Sequence, residues 1–370
     1  MTDEPYIVVG GGIVGLMTAL GLQACGYPTH LFHDRALDAS ASAVAAGMIA
    51  PALEAAQDYP DPLAYHWLCA SRDLWPRWLK ALDLSDDISL DRGGTLWFAP
   101  DDPDRFDLIH ARLVAMGDPV EPMVSGTWGE LRPEIQTPDS PALYTPSDWR
   151  IAPLSALQIL SHRFAALGGV MEVDQVIGVE AERVELRSGR QRVGRAVILA
   201  CGYPSSPLRD HPALSVLSPI QGQLLAFSPT EPLLTHGACV RTPAGYLAPG
   251  VNGPVFGASM QVDRVDECAD PALEATQRAA AMRHVPSLSQ TSSSVRVGIR
   301  PSTADLWPLL GVCPHTRVWL NTGVRRNGWL LAPMMAALLT EALTGTSPLG
   351  FKINDADRIR MAWDPARFLR

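Results

Sequence analysis

Two rhythms of apolar residues alternate along this chain, and its first 32 residues show both. Residues 5–32 read PYIVVGGGIVGLMTALGLQACGYPTHLF. Residues 6–9 are apolar and β-branched in one run, which predicts a buried strand. Residues 13–24 place apolar side chains at helical spacing, and Gly26 stands where a helix C-terminal cap belongs. The PTHLF segment (28–32) predicts a second strand, so the chain opens with a βαβ unit.

Further along, residues 62–83 predict one or two amphipathic helices rich in tryptophan. GGTLWFAP (93–100) predicts a strand, and residues 102–117 a helix. Residues 118–150 are rich in proline and turns. Residues 154–169 predict a helix that ends at glycines. Residues 175–202 alternate as strands do, with SGR (188–190) as a turn and VILA (197–200) as a buried strand. Several strands broken by Pro and Gly are expected over 219–260, and a helix over 270–285. RVWLNTG (317–323) then predicts a strand, followed by a helix over 329–344 with Gly345 behind it. No internal repeat is present. This order predicts an α/β fold with α+β elements: a dinucleotide-binding domain of separated segments, with a β-rich domain inserted.

Composition narrows the function classes. The chain has 370 residues, 47% hydrophobic and 19% charged, which suggests a globular protein of about two domains. A net charge of −9 argues against a nucleic-acid partner, because phosphate binding needs a basic face. A cationic cluster inside a pocket would stand out against that acidity. The six cysteines lie far apart with no metal or redox spacing, so no metal site is expected. The acidic N-terminus lacks the pattern of a signal peptide, and the apolar run Trp329–Leu339 is too short to span a bilayer. A cytoplasmic protein without a membrane span is expected.

Gly10, Gly12 and Gly15 form G-x-G-x-x-G between the first strand and helix. The first glycine allows a tight turn, the second a close approach to a pyrophosphate, and the third close helix packing. An acidic residue for the ribose is expected at the end of the second strand. There the sequence is LFHDR (31–35), with His33 at the position and Asp34 beside it.

ASAVAAGMIAPALE (41–54), LACGYPSSPL (199–208), GIRPSTADLWPLLG (298–311) and TGVRRNGWLLAP (322–333) together resemble the D-amino-acid oxidase family of flavoproteins, most closely its glycine oxidase branch. The resemblance implies non-covalent FAD. It also implies a Rossmann-like FAD-binding domain from residues 1–85, 146–215 and 296–370, and an antiparallel β-rich substrate domain from 86–145 and 216–295. It places Arg300 as the carboxylate-binding arginine, Tyr246 as a pocket hydroxyl, and Arg326 in the RNG turn. Met48, Glu54 and Met260 would line the cavity. The cofactor side would comprise Gly10, Gly12, Ile13, Val14, Gly15, His33, Asp34, Ala46, Gly47, Met48, Val176, Gly202, Gly323, Arg326, Asn327, Gly328 and Trp329. The helix start after Gly323–Gly328 would offer free N–H groups to a reduced, negatively charged flavin.

The sequence departs from the family at three places. Val324 stands where a histidine is frequent, Gln221 where a basic residue is common, and the GYPSS turn lacks a tryptophan. Plainer readings of several residues also stand. Arg300 could pair with Asp305, Glu54 could cap a helix start, and Tyr246, Met48 and Met260 could be ordinary packing. Arg325 reads as a solvated neighbour, and Asp263, Asp266 and Glu267 as a solvated acidic loop. Trp307 could narrow the pocket or pack away from it. The function implied is FAD-dependent oxidation of a small amino acid or amine, with a small anionic or zwitterionic substrate and oxygen or another electron acceptor. A dehydrogenase using a quinone or carrier, a 2-hydroxy-acid oxidoreductase, a flavin-binding subunit of a multi-subunit amine dehydrogenase, and a homo-oligomer all stay open.

Overall fold

The strand Tyr6–Val9 lies inside a six-stranded sheet of the computed structural model, which describes residues 4–124, 140–204, 206–229, 237–250 and 252–368. Ser205 of the GYPSS turn and residues 125–139 of the turn-rich 118–150 stretch lie outside the described residues. The strand order is Leu309–Val312, Trp319–Thr322, Val197–Leu199, Tyr6–Val9, Thr29–His33, Val170–Val173. Neighbours are parallel except for the first pair, which is antiparallel. Tyr6–Val9 and Val197–Leu199 are buried throughout, which explains their unbroken apolar runs. Ile7 sits beside Val197 and Ile198 beside Trp319, so this sheet joins three distant parts of the chain.

The helix Ile13–Ala24 packs on the helix Gly328–Thr344. A Cβ at Gly21 would come within 2.6 Å of Thr340 Oγ1, so glycine permits that contact. Pro333 lies inside the second of these helices and has no N–H to give the Trp329 carbonyl four residues back. Trp75, on the long helix Pro62–Ala81, supplies the missing donor: its Nε1–H bonds Trp329 O at 2.7 Å. Ser71 Oγ likewise donates to Leu330 O at 2.7 Å. Trp75 thus satisfies the carbonyl that the proline leaves without a helical donor, as well as filling the core.

A nine-stranded sheet runs Gln261–Val262, Ser218–Phe227, Val255–Gly257, Gly245–Ala248, Cys239–Thr242, Thr95–Trp97, Ala142–Thr145, Glu121–Met123, with Ser293–Ser302 paired to Ser218–Phe227. Its pairings are antiparallel, except that Cys239–Thr242 runs parallel to Thr95–Trp97. Ser293–Ser302 is a continuous ten-residue strand, from Ser302 opposite Ser218 to Ser293 opposite Phe227. The sequence pattern did not resolve it, and it crosses the position, 295/296, where the two segments were expected to part. Two eight-residue helices, Pro51–Asp58 and Ala356–Trp363, were also not read from the sequence. Among the described residues, no helix is long and apolar enough to cross a membrane.

Candidate active site

The glycine turn sets the first half of the site. Gly10 has φ +121°, and a Cβ there would lie 2.4 Å from the Ala200 carbonyl oxygen. A Cβ at Gly15 would lie 1.9 Å from Gly10 O, so this glycine brings helix and strand together. Gly12 caps the helix without a side chain, and Ser42 Oγ accepts the Ile13 N–H at 3.0 Å instead. The remaining first-turn amides have no carbonyl four residues back. Gly12, Ile13 and Val14 open onto a cavity of about 500 Å³. A cradle that admits no Cβ, facing orphan amides, fits a pyrophosphate.

This cavity extends from the end of the second strand to the start of the C-terminal helix. Gly10, Gly12, Ile13, Val14, His33, Asp34, Val176, Gly202, Arg326, Gly328 and Trp329 all line it, as does Val324. Gly15 and Gly323 do not: Gly15 lies in the helix–strand contact and Gly323 in a turn with φ +79°. Asn327 is buried as the N-cap of Gly328–Thr344, and its side chain makes no capping bond, so the first-turn amides there are also unsatisfied. Ala46, Gly47 and Met48 line a second cavity instead. His33 Nδ1–H donates to Arg35 O at 2.7 Å, which leaves Nε2 for another partner. Cys201 also lines the first cavity, and burial pushes its thiol up to about 12, so it stays a thiol rather than a nucleophilic thiolate.

The acidic loop is not merely solvated. Glu267 pairs with Arg35 at 2.6 Å, and Asp266 with Arg264 at 2.8 Å. Gln221 is fully buried and lines neither cavity. Its amide donates to Asp266 O at 2.6 Å and Cys268 O at 3.3 Å, so it holds this loop in place.

The second cavity, of about 290 Å³, adjoins the first: Ala41, Ala45, Arg300, Arg326 and Trp329 line both. Arg300, Tyr246, Arg326, Met48, Glu54 and Met260, far apart in sequence, all line the second. Arg300 stands opposite Ile220, two residues from Gly222 on the same face. Its guanidinium lies over Gly222, where a Cβ would approach Nη2 to 2.2 Å. Arg300 Nη1 donates to Ser259 O at 2.9 Å and to Met260 Sδ at 3.3 Å. No carboxylate among the described residues pairs with it. Asp305, the alternative partner, is bound to Arg367 at 2.7 Å and accepts the Trp307 N–H at 3.1 Å. Trp307 packs away from both cavities, against Tyr59, Trp67 and Trp363.

Glycine at 222 therefore matters for where Arg300 points. Gly222→Ala should displace the guanidinium and raise KM for a carboxylate substrate by about tenfold or more, since small misplacements cost much in catalysis. Because only the end of a flexible side chain must move, the melting temperature should change little. Steady-state kinetics beside thermal unfolding checks both halves.

Tyr246 faces Arg241 across a two-residue hairpin turn at Pro243-Ala244. Its hydroxyl bonds no described residue, and burial raises its pKa, so it remains a neutral hydrogen-bond donor. Behind it lies a buried ion cluster. Glu54, only 4% exposed, accepts from Arg241 Nη2 at 3.0 Å and from Arg326 Nε. Arg326 Nη2 is 2.8 Å from Asp58, which also holds Arg325. Burial would raise the Glu54 pKa, but the charges of Arg326 and Arg241 outweigh it and hold the carboxyl at about 2. Glu54 is thus the anionic hub of two arginines, not a simple cap. Arg325, expected to be solvated, is half-buried, lines the first cavity and pairs with Asp58.

Arg241, Arg105, Trp97, Ser42 and Asp58 were missed from the sequence. The hairpin spacing in CVRTPAGYLAP carries a signal for one of them: a two-residue turn sets Arg241 directly opposite Tyr246.

The family model for FAD-dependent oxidoreductases (DAO) matches residues 5–342. A glycine oxidase of Pseudomonas aeruginosa is 25% identical, with 94% of this chain and 96% of that protein aligned. A glycine oxidase of Bacillus licheniformis is 28% identical, with 92% of each chain aligned. The solved structure of glycine oxidase from Geobacillus kaustophilus superposes with a TM-score of 0.82 at 23% identity, covering 95% of this chain and 97% of that one.

Proposed function

Since the chain belongs to the DAO family of FAD-dependent oxidoreductases, we propose that its second cavity binds a small amino acid or related amine and presents the α-carbon to the flavin for oxidation. FAD, when bound, supplies the two-electron oxidation. The single observation carrying the reading is Arg300: a guanidinium without a carboxylate partner among the described residues, at the junction of the two cavities. Such a group in a partly dry site grips a carboxylate with two parallel hydrogen bonds. The Tyr246 hydroxyl adds a third donor. Met48 and Trp329 give the cavity apolar wall that restricts water. With the carboxylate held, the α-carbon and its amine are oriented toward the adjoining cavity, and binding energy becomes positioning.

The α-carbon loses a hydride, one proton with two electrons, and the nitrogen loses a proton, leaving an imine. Water then hydrolyses the imine to an oxo acid and ammonia or an amine. Oxygen takes the electrons and becomes hydrogen peroxide. Glycine, sarcosine or a D-amino acid fits this reading, and the glycine oxidase relatives support it.

Mixing the FAD-loaded protein anaerobically with glycine, sarcosine, D-amino acids or 2-hydroxy acids should bleach the flavin absorbance with the amino acids. Admitting air should restore it with release of peroxide. Slow recovery in air but fast recovery with a quinone would assign a dehydrogenase instead. No bleaching by any amino acid or amine would sink the proposal.

A further inference from the structure

We propose that the substrate carries a second carboxylate, and that Arg241 and Arg105 receive it. This rests on the amino-acid reading above and narrows it to dicarboxylic amino or imino acids. The described walls of the second cavity carry Arg105, Arg241, Arg300 and Arg326, against the single carboxylate of Glu54. That concentration of positive charge stands against a net charge of −9 for the chain. A substrate with one carboxylate would occupy Arg300 and leave Arg105 and the share of Arg241 that Glu54 does not neutralise unmatched.

The four guanidiniums are not equivalent. Arg326 is engaged by Glu54 and by Asp58. Arg241 spends Nη2 on Glu54 at 3.0 Å, yet its Nη1 has no hydrogen-bond partner among the described residues although the residue is only 8% exposed. Glu54 is shared between Arg241 and Arg326, so Arg241, which lines the cavity, keeps positive charge that a ligand carboxylate would offset. Arg105 enters from the helix Pro103–Ala115, lies over the Trp97 ring at 5.8 Å, and has no described carboxylate partner. It is exposed, as a group at the outer rim would be. Size agrees with charge. A cavity of about 290 Å³ has room for roughly ten waters at about 30 Å³ each, far more than glycine fills.

The test uses the FAD-loaded protein and carboxylates that cannot be oxidised, read through perturbation of the flavin spectrum. Acetate and propionate are compared with malonate, succinate and glutarate. At least one diacid should bind about tenfold more tightly than either monoacid, the scale of one added charge-assisted contact. Arg105→Gln, at an exposed position, should cut that preference severalfold, and Arg241→Gln should cut it further. Dicarboxylic amino or imino acids should likewise bleach the flavin at lower concentration than glycine. Equal binding of mono- and diacids, alongside normal bleaching by glycine or sarcosine, overturns this inference and leaves the amino-acid reading intact. Absence of both carboxylate binding and bleaching overturns the two together. A diacid preference that survives both variants overturns the assignment to Arg105 and Arg241.

Discussion

Arg300→Ala should lower kcat/KM for a carboxylate substrate about a thousandfold, a loss of about 4 kcal/mol, while the protein still binds FAD. The size follows from the surroundings. Arg300 has no acidic partner among the described residues, so its charge is available to a ligand. Burial and the nearby Arg326 and Arg325 lower its pKa from the ordinary value, with Tyr246 acting the other way, and an incoming carboxylate relieves that cost. Alanine removes both the charge and the planar fork. Arg300→Lys should recover only part of the loss, because an ammonium cannot make two parallel bonds to one carboxylate. The check is kinetics with glycine, sarcosine and D-amino acids, beside FAD retention measured by absorbance after gel filtration. Unchanged kcat/KM in Arg300→Ala would falsify the role. Loss of FAD would instead place the residue with the cofactor.

Glu54→Gln should be the most destabilising single change near the site. It leaves Arg241 buried without its carboxylate and Arg326 with Asp58 alone. Breaking a buried pair from one side costs about 3–5 kcal/mol, because the surviving charge is not compensated. The melting temperature should fall by roughly 4–6 °C. The pH dependence has a definite sign. The folded pKa of Glu54, about 2, lies below its ordinary 4.5, so the carboxylate contributes stability that is present above about 4.5 and is lost as pH falls toward about 2. The shift corresponds to about 3 kcal/mol. Unfolding of the two proteins should therefore differ most near neutral pH and converge across that acid window. A constant gap between pH 6 and pH 3 would show that Glu54 is not held ionised by its arginines.

The parts of the site legible in the sequence were those with local causes. Gly10, Gly12 and Gly15 have a steric reason written into three positions within six residues, so the first strand, turn and helix could be placed within a residue or two. The same is true of Gly328–Thr344 and its preceding turn. The exchange of the expected ribose-binding acid for His33 was visible, but not that its Nδ1 is tied to Arg35 O. Gln221 also drew notice in the sequence as a missing base. Its role in pinning residues 266–268 became evident only when those carbonyls stood next to it.

What the sequence by itself determined was local: strand and helix periodicity, the glycine turn, and through motif resemblance the residues around the two cavities. The tertiary structure decided how their charges are shared. Arg241, Arg300 and Arg326 look alike in a sequence, yet Glu54 and Asp58 hold the third, Glu54 half-holds the first, and Arg300 is left for a ligand. Asp305, five residues from Arg300, was the nearest acid in sequence, and it bonds Arg367 instead. The reason is range: turn geometry and periodicity act over a few residues. Which carboxylate neutralises which buried guanidinium depends on a few ångströms between segments up to 272 positions apart, and those distances exist only once the chain has folded.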